Sequence, residues 1–216
     1  MNVRFGALVI GQVFALATGP GLPIIVMPGH LTASSVEFAS APSVREPPWR
    51  DPTTRDRRFY AKDTHVYTSI WFEGRHRKMV PFGCTTAPYY DPDPRCADGR
   101  GFHHGIDIAM PCGTPLSAGV GGLVVDPDEP GELGPAYGAH AFRIRNEALG
   151  VDIVIGHTRK VFVDPGDTVT KFESIALASD AGAPDGCHLH LEVRPIAGSY
   201  TSAMDPLPLL HLVRAD

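Results

Sequence analysis

The stretch "GCHLHLEV", residues 186–193, sets His188 and His190 two apart among apolar, β-favouring neighbours. Successive side chains of a strand point to opposite faces, so the two imidazoles share one face while Cys187, Leu189 and Leu191 share the other. One face reads as polar and the other as core. Two adjoining imidazoles inside a fold need partners, either backbone carbonyls or a metal ion. An isolated HxH is weak evidence for a metal, so the reading depends on further ligands elsewhere in the chain.

"GFHHGIDIAMPCGTP", residues 101–115, offers His103, His104 and Asp107. On an extended chain His103 and Asp107 face the same way and His104 the other. A carboxylate and an imidazole from this segment, joined by one imidazole of "HLH", make three ligands for Zn²⁺ and leave a fourth position open to water, the arrangement of a catalytic site. Such water becomes nucleophilic near neutral pH, and a base is needed beside it. "VIGHTRK" contributes His157 at a strand end, and the HLH histidine that does not ligate is the other candidate.

Short apolar segments recur from Gly101 onward between glycine and proline turns, as in "GGLVV", "HAFRIRN", "VDIVIGH" and "SIALAS". None carries a sustained helical stripe, which predicts a mainly antiparallel β domain. "THVYTSIWFEGRHRKMVPF" predicts a hairpin turning at Glu73-Gly74. Residues 84–100 hold too many prolines for regular structure, and Cys84 and Cys96 bracket them as a local staple. His65 and His76 read as surface residues, and His140 as a core or rim residue.

The chain has 216 residues, 43% of them hydrophobic and 20% charged, a globular composition. Its net charge of −5 is uneven: nine Lys and Arg face five Asp and Glu over 42–80, against nine and eighteen over 81–216. A folded domain so acidic argues against nucleic acid as partner. The opening "MNVRFGALVIGQVFALATG" has one early arginine and an apolar run of signal-peptide length, so export is expected. Retention as a membrane anchor through residues 5–27 is the other reading of the leader. Four cysteines without a CxxC suggest two disulfides rather than an all-cysteine zinc site.

"HHGIDIAMPCGTP", "GHTRKVFVDPGDTV" and "GCHLHLEVR" resemble, in order and separation, the three signatures of the LytM and lysostaphin family of zinc endopeptidases. The likeness covers roughly residues 81–210, the closing "DPLPLL" included, and joint occurrence makes it far more specific than any one piece. It implies the antiparallel β-sheet groove of the lysostaphin-type peptidase, barrel-sandwich-hybrid-like, with few or no helices in the core. It implies a secreted or cell-envelope enzyme that uses Zn²⁺ and a metal-activated water to cut peptide bonds in peptidoglycan stems or cross-links. His103, Asp107 and His190 match the metal ligands, and His157 and His188 the catalytic histidines. Some members of such families have lost ligands and act as non-catalytic wall-binding or activator proteins; here all five positions are filled.

Two departures stand out. Ile155 replaces an aromatic residue common before the "GH", and Thr158 replaces a leucine; both are expected to alter the groove and leave the zinc chemistry intact. For the family's tyrosine that assists the transition state, Tyr89 and Tyr90 are the candidates. Cys187, on the face opposite His188 and His190, is expected behind the metal and bridged to Cys112. The chain then divides into a leader or anchor (1–41), a Pro/Arg-rich linker with a hairpin extension (42–80), the metallopeptidase domain (81–210) and a tail (211–216).

Overall fold

The computed structural model describes residues 57–216. The expected leader, its alternative as an anchor and the first part of the linker lie outside the described residues. Fourteen strands follow one another in the described chain: β1 (Val66–Ser69), β2 (Phe72–Val80), β3 (Gly83–Thr85), β4 (Gly101–His103), β5 (Gly105–Ala109), β6 (Pro115–Ser117) and β7 (Gly122–Val124) make the first half. The second half is β8 (Phe142–Asn146), β9 (Val151–Gly156), β10 (Thr158–Arg159), β11 (Thr168–Val169), β12 (Ser174–Ala178), β13 (His188–Pro195) and β14 (Val213–Arg214). A single turn of α-helix, α1 (Leu207–Leu210), precedes the last strand. The mainly antiparallel β architecture is therefore as expected. Among the described residues no helix is long and apolar enough to cross a membrane.

The main sheet runs β10-β12-β6-β2-β5-β13-β9-β8-β7-β11, and β1 joins it through β2 and carries β14 on its other edge. Strands β3 and β4 pair separately. At the centre, register does the sorting. Leu189 faces Ile108 and Leu191 faces Ile106 across β5, while Leu191 faces Ile155 and Val193 faces Ile153 across β9. These side chains join Trp71, Met110, Leu116, Ile144 and Leu210 in one buried core. Each fully buried aliphatic side chain contributes about 1.5–3 kcal/mol. The other parity of the same strands puts His190 opposite Asp107 and Gly156, and Arg194 opposite Asp152. The central sheet thus has one oily face and one ionic face.

The hairpin turns at Ile70-Trp71, not at Glu73-Gly74. Trp71 is buried in the core and donates its indole N–H to the Leu209 carbonyl at 2.8 Å. Ser69 Oγ accepts from the Trp71 amide. The burial of the indole outweighs the local turn propensity of Glu-Gly, and Gly74 takes φ +88° within β2. β2 pairs with both β5 and β6, and β14 pairs with β1, so the hairpin and the chain's last residues are built into the main sheet.

Candidate metal centre

His103 ends β4 and Asp107 sits mid-way along β5, and β13 lays His190 directly beside Asp107. The three side chains are buried and converge. His190 Nδ1 lies 2.9 Å from Asp107 Oδ1, His103 Nε2 3.2 Å from His190 Nδ1, and His103 Nε2 3.3 Å from Asp107 Oδ1. A tetrahedral zinc with bonds of about 2.0–2.1 Å has ligand edges of about 3.3 Å, so the donor triangle fits that ion within a few tenths of an ångström. Among the described residues the other such cluster, Cys112, Asp180 and Cys187, has its two sulfurs in a disulfide.

The tautomers follow from the backbone. A carbonyl only accepts, so a ring nitrogen against one must carry the proton. His103 donates Nδ1–H to Pro81 O at 3.0 Å, which leaves the Nε2 lone pair facing the centre. His157 donates to Ala181 O and His188 to Gly186 O, each at 2.8 Å and through Nδ1. His190 is the reverse: Nδ1 faces the centre and Nε2 faces Glu192 Oε2 at 3.5 Å. Gly105 and Gly156 make room for this ring. A Cβ on Gly105 would stand 2.6 Å from His190 Cε1, and one on Gly156 3.1 Å from His190 Cβ.

Charge follows geometry. Burial works to raise the Asp107 carboxyl, but the His103 and His188 rings overcome it and hold it well below the usual carboxylate range. Burial works to neutralise His190; the carboxylates of Asp107 and Glu192 outweigh that and raise it to about 9. His157 is pushed down to about 3, chiefly by burial and then by His188 and His190. Burial likewise lowers His188. The His157 and His188 rings meet edge to face with centroids 4.4 Å apart, and the buried His188 Nε2 lies 3.5 Å from Asp107 Oδ1 with no hydrogen-bond partner among the described residues.

The centre opens into a groove of about 730 Å³. Tyr89 and Tyr90 both line it. The Tyr90 ring packs 5.3 Å from His103, and burial keeps its phenol protonated; Tyr89 donates to Asp185 Oδ2 at 2.8 Å. Their loop is held by the expected Cys84–Cys96 disulfide, and the expected Cys112–Cys187 bridge closes the opposite, core side. His104 points away from the three donor atoms, accepts from Arg95 at 2.9 Å and lines the outer groove. Ile155 does not touch the groove: it lies in the core between Leu191 and Phe142. Thr158, also buried, donates its hydroxyl to His140 O, and His140 itself is exposed. His65 is half-buried beside Asp216, and His76 bonds the Glu73 carbonyl.

Two residues that no motif singles out also belong to the site. Glu192 shares the parity of His188 and His190, and that alternation is the signal the sequence carries for it. Tyr137 is the other. Its ring meets His190 edge to face at 5.2 Å, its hydroxyl donates to Glu192 Oε2 at 2.8 Å, and its carbonyl accepts the His157 amide. It sits in a glycine- and proline-rich segment that has no periodicity to reveal it.

Known proteins resemble the chain over the segment that carries these residues. Residues 101–206 match the model of Peptidase family M23. Two lysostaphins, from Staphylococcus staphylolyticus and Staphylococcus simulans, are each 28% identical over 147 residues, or 68% of this chain. The chain spans only 28% and 27% of their lengths. The solved structure of the antimicrobial peptidase lysostaphin from Staphylococcus simulans superposes with TM-score 0.51 at 26% identity, over 68% of this chain and 54% of that one. Through residues 101–206, the chain is similar to peptidase family M23, and its sequence and fold resemble the LytM and lysostaphin branch.

Proposed function

We propose that this protein is a zinc-dependent endopeptidase that hydrolyses peptide bonds in the stems or cross-links of peptidoglycan. The observation that carries the reading is the buried triangle of His103 Nε2, Asp107 Oδ1 and His190 Nδ1 at the floor of a groove, with two further histidines alongside. His103, Asp107 and His190 would hold the ion. Bound there, zinc lowers the pKa of water toward neutrality and polarises a carbonyl oxygen.

The proton transfers fall to His157 and His188. Each ties Nδ1–H to a backbone carbonyl and so offers Nε2 as its free basic atom. One accepts the proton of the attacking water at Nε2; the other, neutral at rest, donates to the oxyanion or to the departing amine once that proton or one from solvent has reached its Nε2. The protonated phenol of Tyr90 beside His103 is placed to donate to a substrate oxygen. The catalytic unit is taken as residues 81–210, with β2 completing its sheet. The likeness to peptidase family M23 supports peptidoglycan as the substrate, and the two disulfides accord with a secreted or cell-envelope location.

Digestion of purified peptidoglycan with zinc-loaded protein, with and without a chelator, tests the reading. Mass spectrometry of the soluble fragments should show new peptide termini only in the chelator-free sample. Intact cross-links and stems after prolonged digestion would sink it in favour of a non-catalytic wall-binding or activator role.

A further inference from the structure

Three of the four histidines around the centre face it with Nε2 and anchor Nδ1 on a backbone carbonyl. His190 alone is turned round, and no backbone carbonyl meets its outer nitrogen. A neutral imidazole has one N–H; with Nδ1 given to an ion, Nε2 must carry the proton, and a buried N–H needs an acceptor. The acceptor in place is Glu192 Oε2.

Glu192 is itself fully buried and held on both oxygens. Arg194 Nε donates to Oε1 at 2.6 Å, and the Tyr137 hydroxyl donates to Oε2 at 2.8 Å. Arg194 Nη2 donates in turn to the Tyr137 oxygen at 2.8 Å, closing a ring of three side chains. Arg194 Nη1 also bonds Gly131 O at 3.0 Å, and Gly131 and Tyr137 both line the groove. A buried ion pair is weak evidence for stability, because desolvation offsets most of its attraction. Its placement one strand step beyond a metal-facing histidine gives it another use.

We propose that Glu192 is a positioning residue for His190: clamped by Arg194 and Tyr137, it fixes the ring in the Nε2–H tautomer and so presents Nδ1 to the metal. The same clamp ties the groove wall at Gly131 and Tyr137 to the ligand. This rests on the reading of His103, Asp107 and His190 as zinc ligands.

The test is zinc affinity, measured by competition with a chromophoric chelator on the full chain. Two variants are compared: Glu192→Gln, which keeps the volume and one acceptor oxygen, and Glu192→Leu with Arg194→Leu, which removes both charges together. The double variant should bind zinc about 10- to 100-fold more weakly, the usual cost of losing a partner behind a ligand, and Glu192→Gln should lose less. Ring ¹⁵N spectra of the metal-free forms, recorded at a pH where the His190 ring is neutral, should show the Nε2–H tautomer in the native chain and a mixture in the double variant, a change that a purely structural role would not produce. If the double variant does not fold, Glu192→Gln carries the test. Affinity within twofold of the native chain, with an unchanged His190 spectrum, in each variant that folds overturns the proposal. Absence of zinc binding by the native chain would instead overturn the reading of the centre itself.

Discussion

The two faces of the central sheet are made by the same strands and have opposite tasks. On the core face Ile106, Ile108, Ile153, Leu189 and Leu191 interlock without a polar atom; on the groove face Asp107, Asp152, His188, His190, Glu192 and Arg194 are just as buried. The first face lowers the free energy of the fold. The second face costs desolvation at every position and is tolerable only because each charge has a partner. Stability and chemistry are therefore separable by parity, and substitutions on the two faces should fail in different assays.

The largest separation is expected at the ligands. Asp107→Ala and His190→Ala should each lose zinc and peptidase activity together, while urea denaturation of the metal-free forms shows a folded domain. His188→Ala should keep zinc at full stoichiometry and lose about 10²- to 10⁴-fold in turnover, the range of a general acid or base. Zinc retained in both ligand variants would erase the contrast.

On the core face the expected order reverses. Ile108→Ala and Leu189→Ala should cost about 2–5 kcal/mol in urea midpoint analysis, as buried truncations do. Zinc stoichiometry of the folded fraction should not change. Replacing Cys112 and Cys187 together by serine should cost a similar ~2–5 kcal/mol, because their 75-residue loop is no longer closed.

A smaller effect sharpens the boundary between the faces. Gly105→Ala would place a methyl 2.6 Å from His190 Cε1 and 2.8 Å from the Leu191 carbonyl oxygen. The ring has to shift, so zinc affinity should fall by about tenfold, the lower end for a disturbed ligand support. Gly156→Ala, with its nearest contact at 3.1 Å, should be milder. Equal affinities for both variants and the native chain would show that the ring has slack.

The smallest effect lies off both faces, in the hairpin. Asp63 accepts from Lys78 Nζ and from the Tyr67 hydroxyl, each at 2.6 Å, and from the His65 amide. These bonds, led by that from Lys78, hold its carboxyl well below the ordinary aspartate range. A depressed carboxyl stabilises the fold above its unfolded pKa, and that contribution fades as pH falls below about 4. Asp63→Asn should remove at most about 1 kcal/mol at pH 7, as for other accessible ion pairs, and progressively less as the pH is lowered from about 4 toward 2.

Parity makes much of this legible in the amino-acid sequence. The alternation of 186–193 separates the imidazoles from the leucines, and the spacing of His103 and Asp107 places both on one face. Each of these signals is local, a matter of neighbouring positions on one strand. What stays hidden is long-range. Tyr137 reaches the site because Arg143 and Arg194 grip the carbonyls of Asp126, Glu129, Pro130 and Gly131, and no periodicity reports such bonds. The hairpin turn differs from its expected position for the same reason, since Trp71 answers to a core assembled by distant residues.

The direct pairing of His190 with Asp107 means that the candidate metal centre is a vernier for the sheet. Slide β13 by one residue against β5 and Leu189 or Leu191 confronts the carboxylate, while both imidazoles drop into oil. No half-aligned sheet retains a weakened site, so the donor triangle arrives all at once or not at all, and each molecule that binds the ion certifies its own correct assembly.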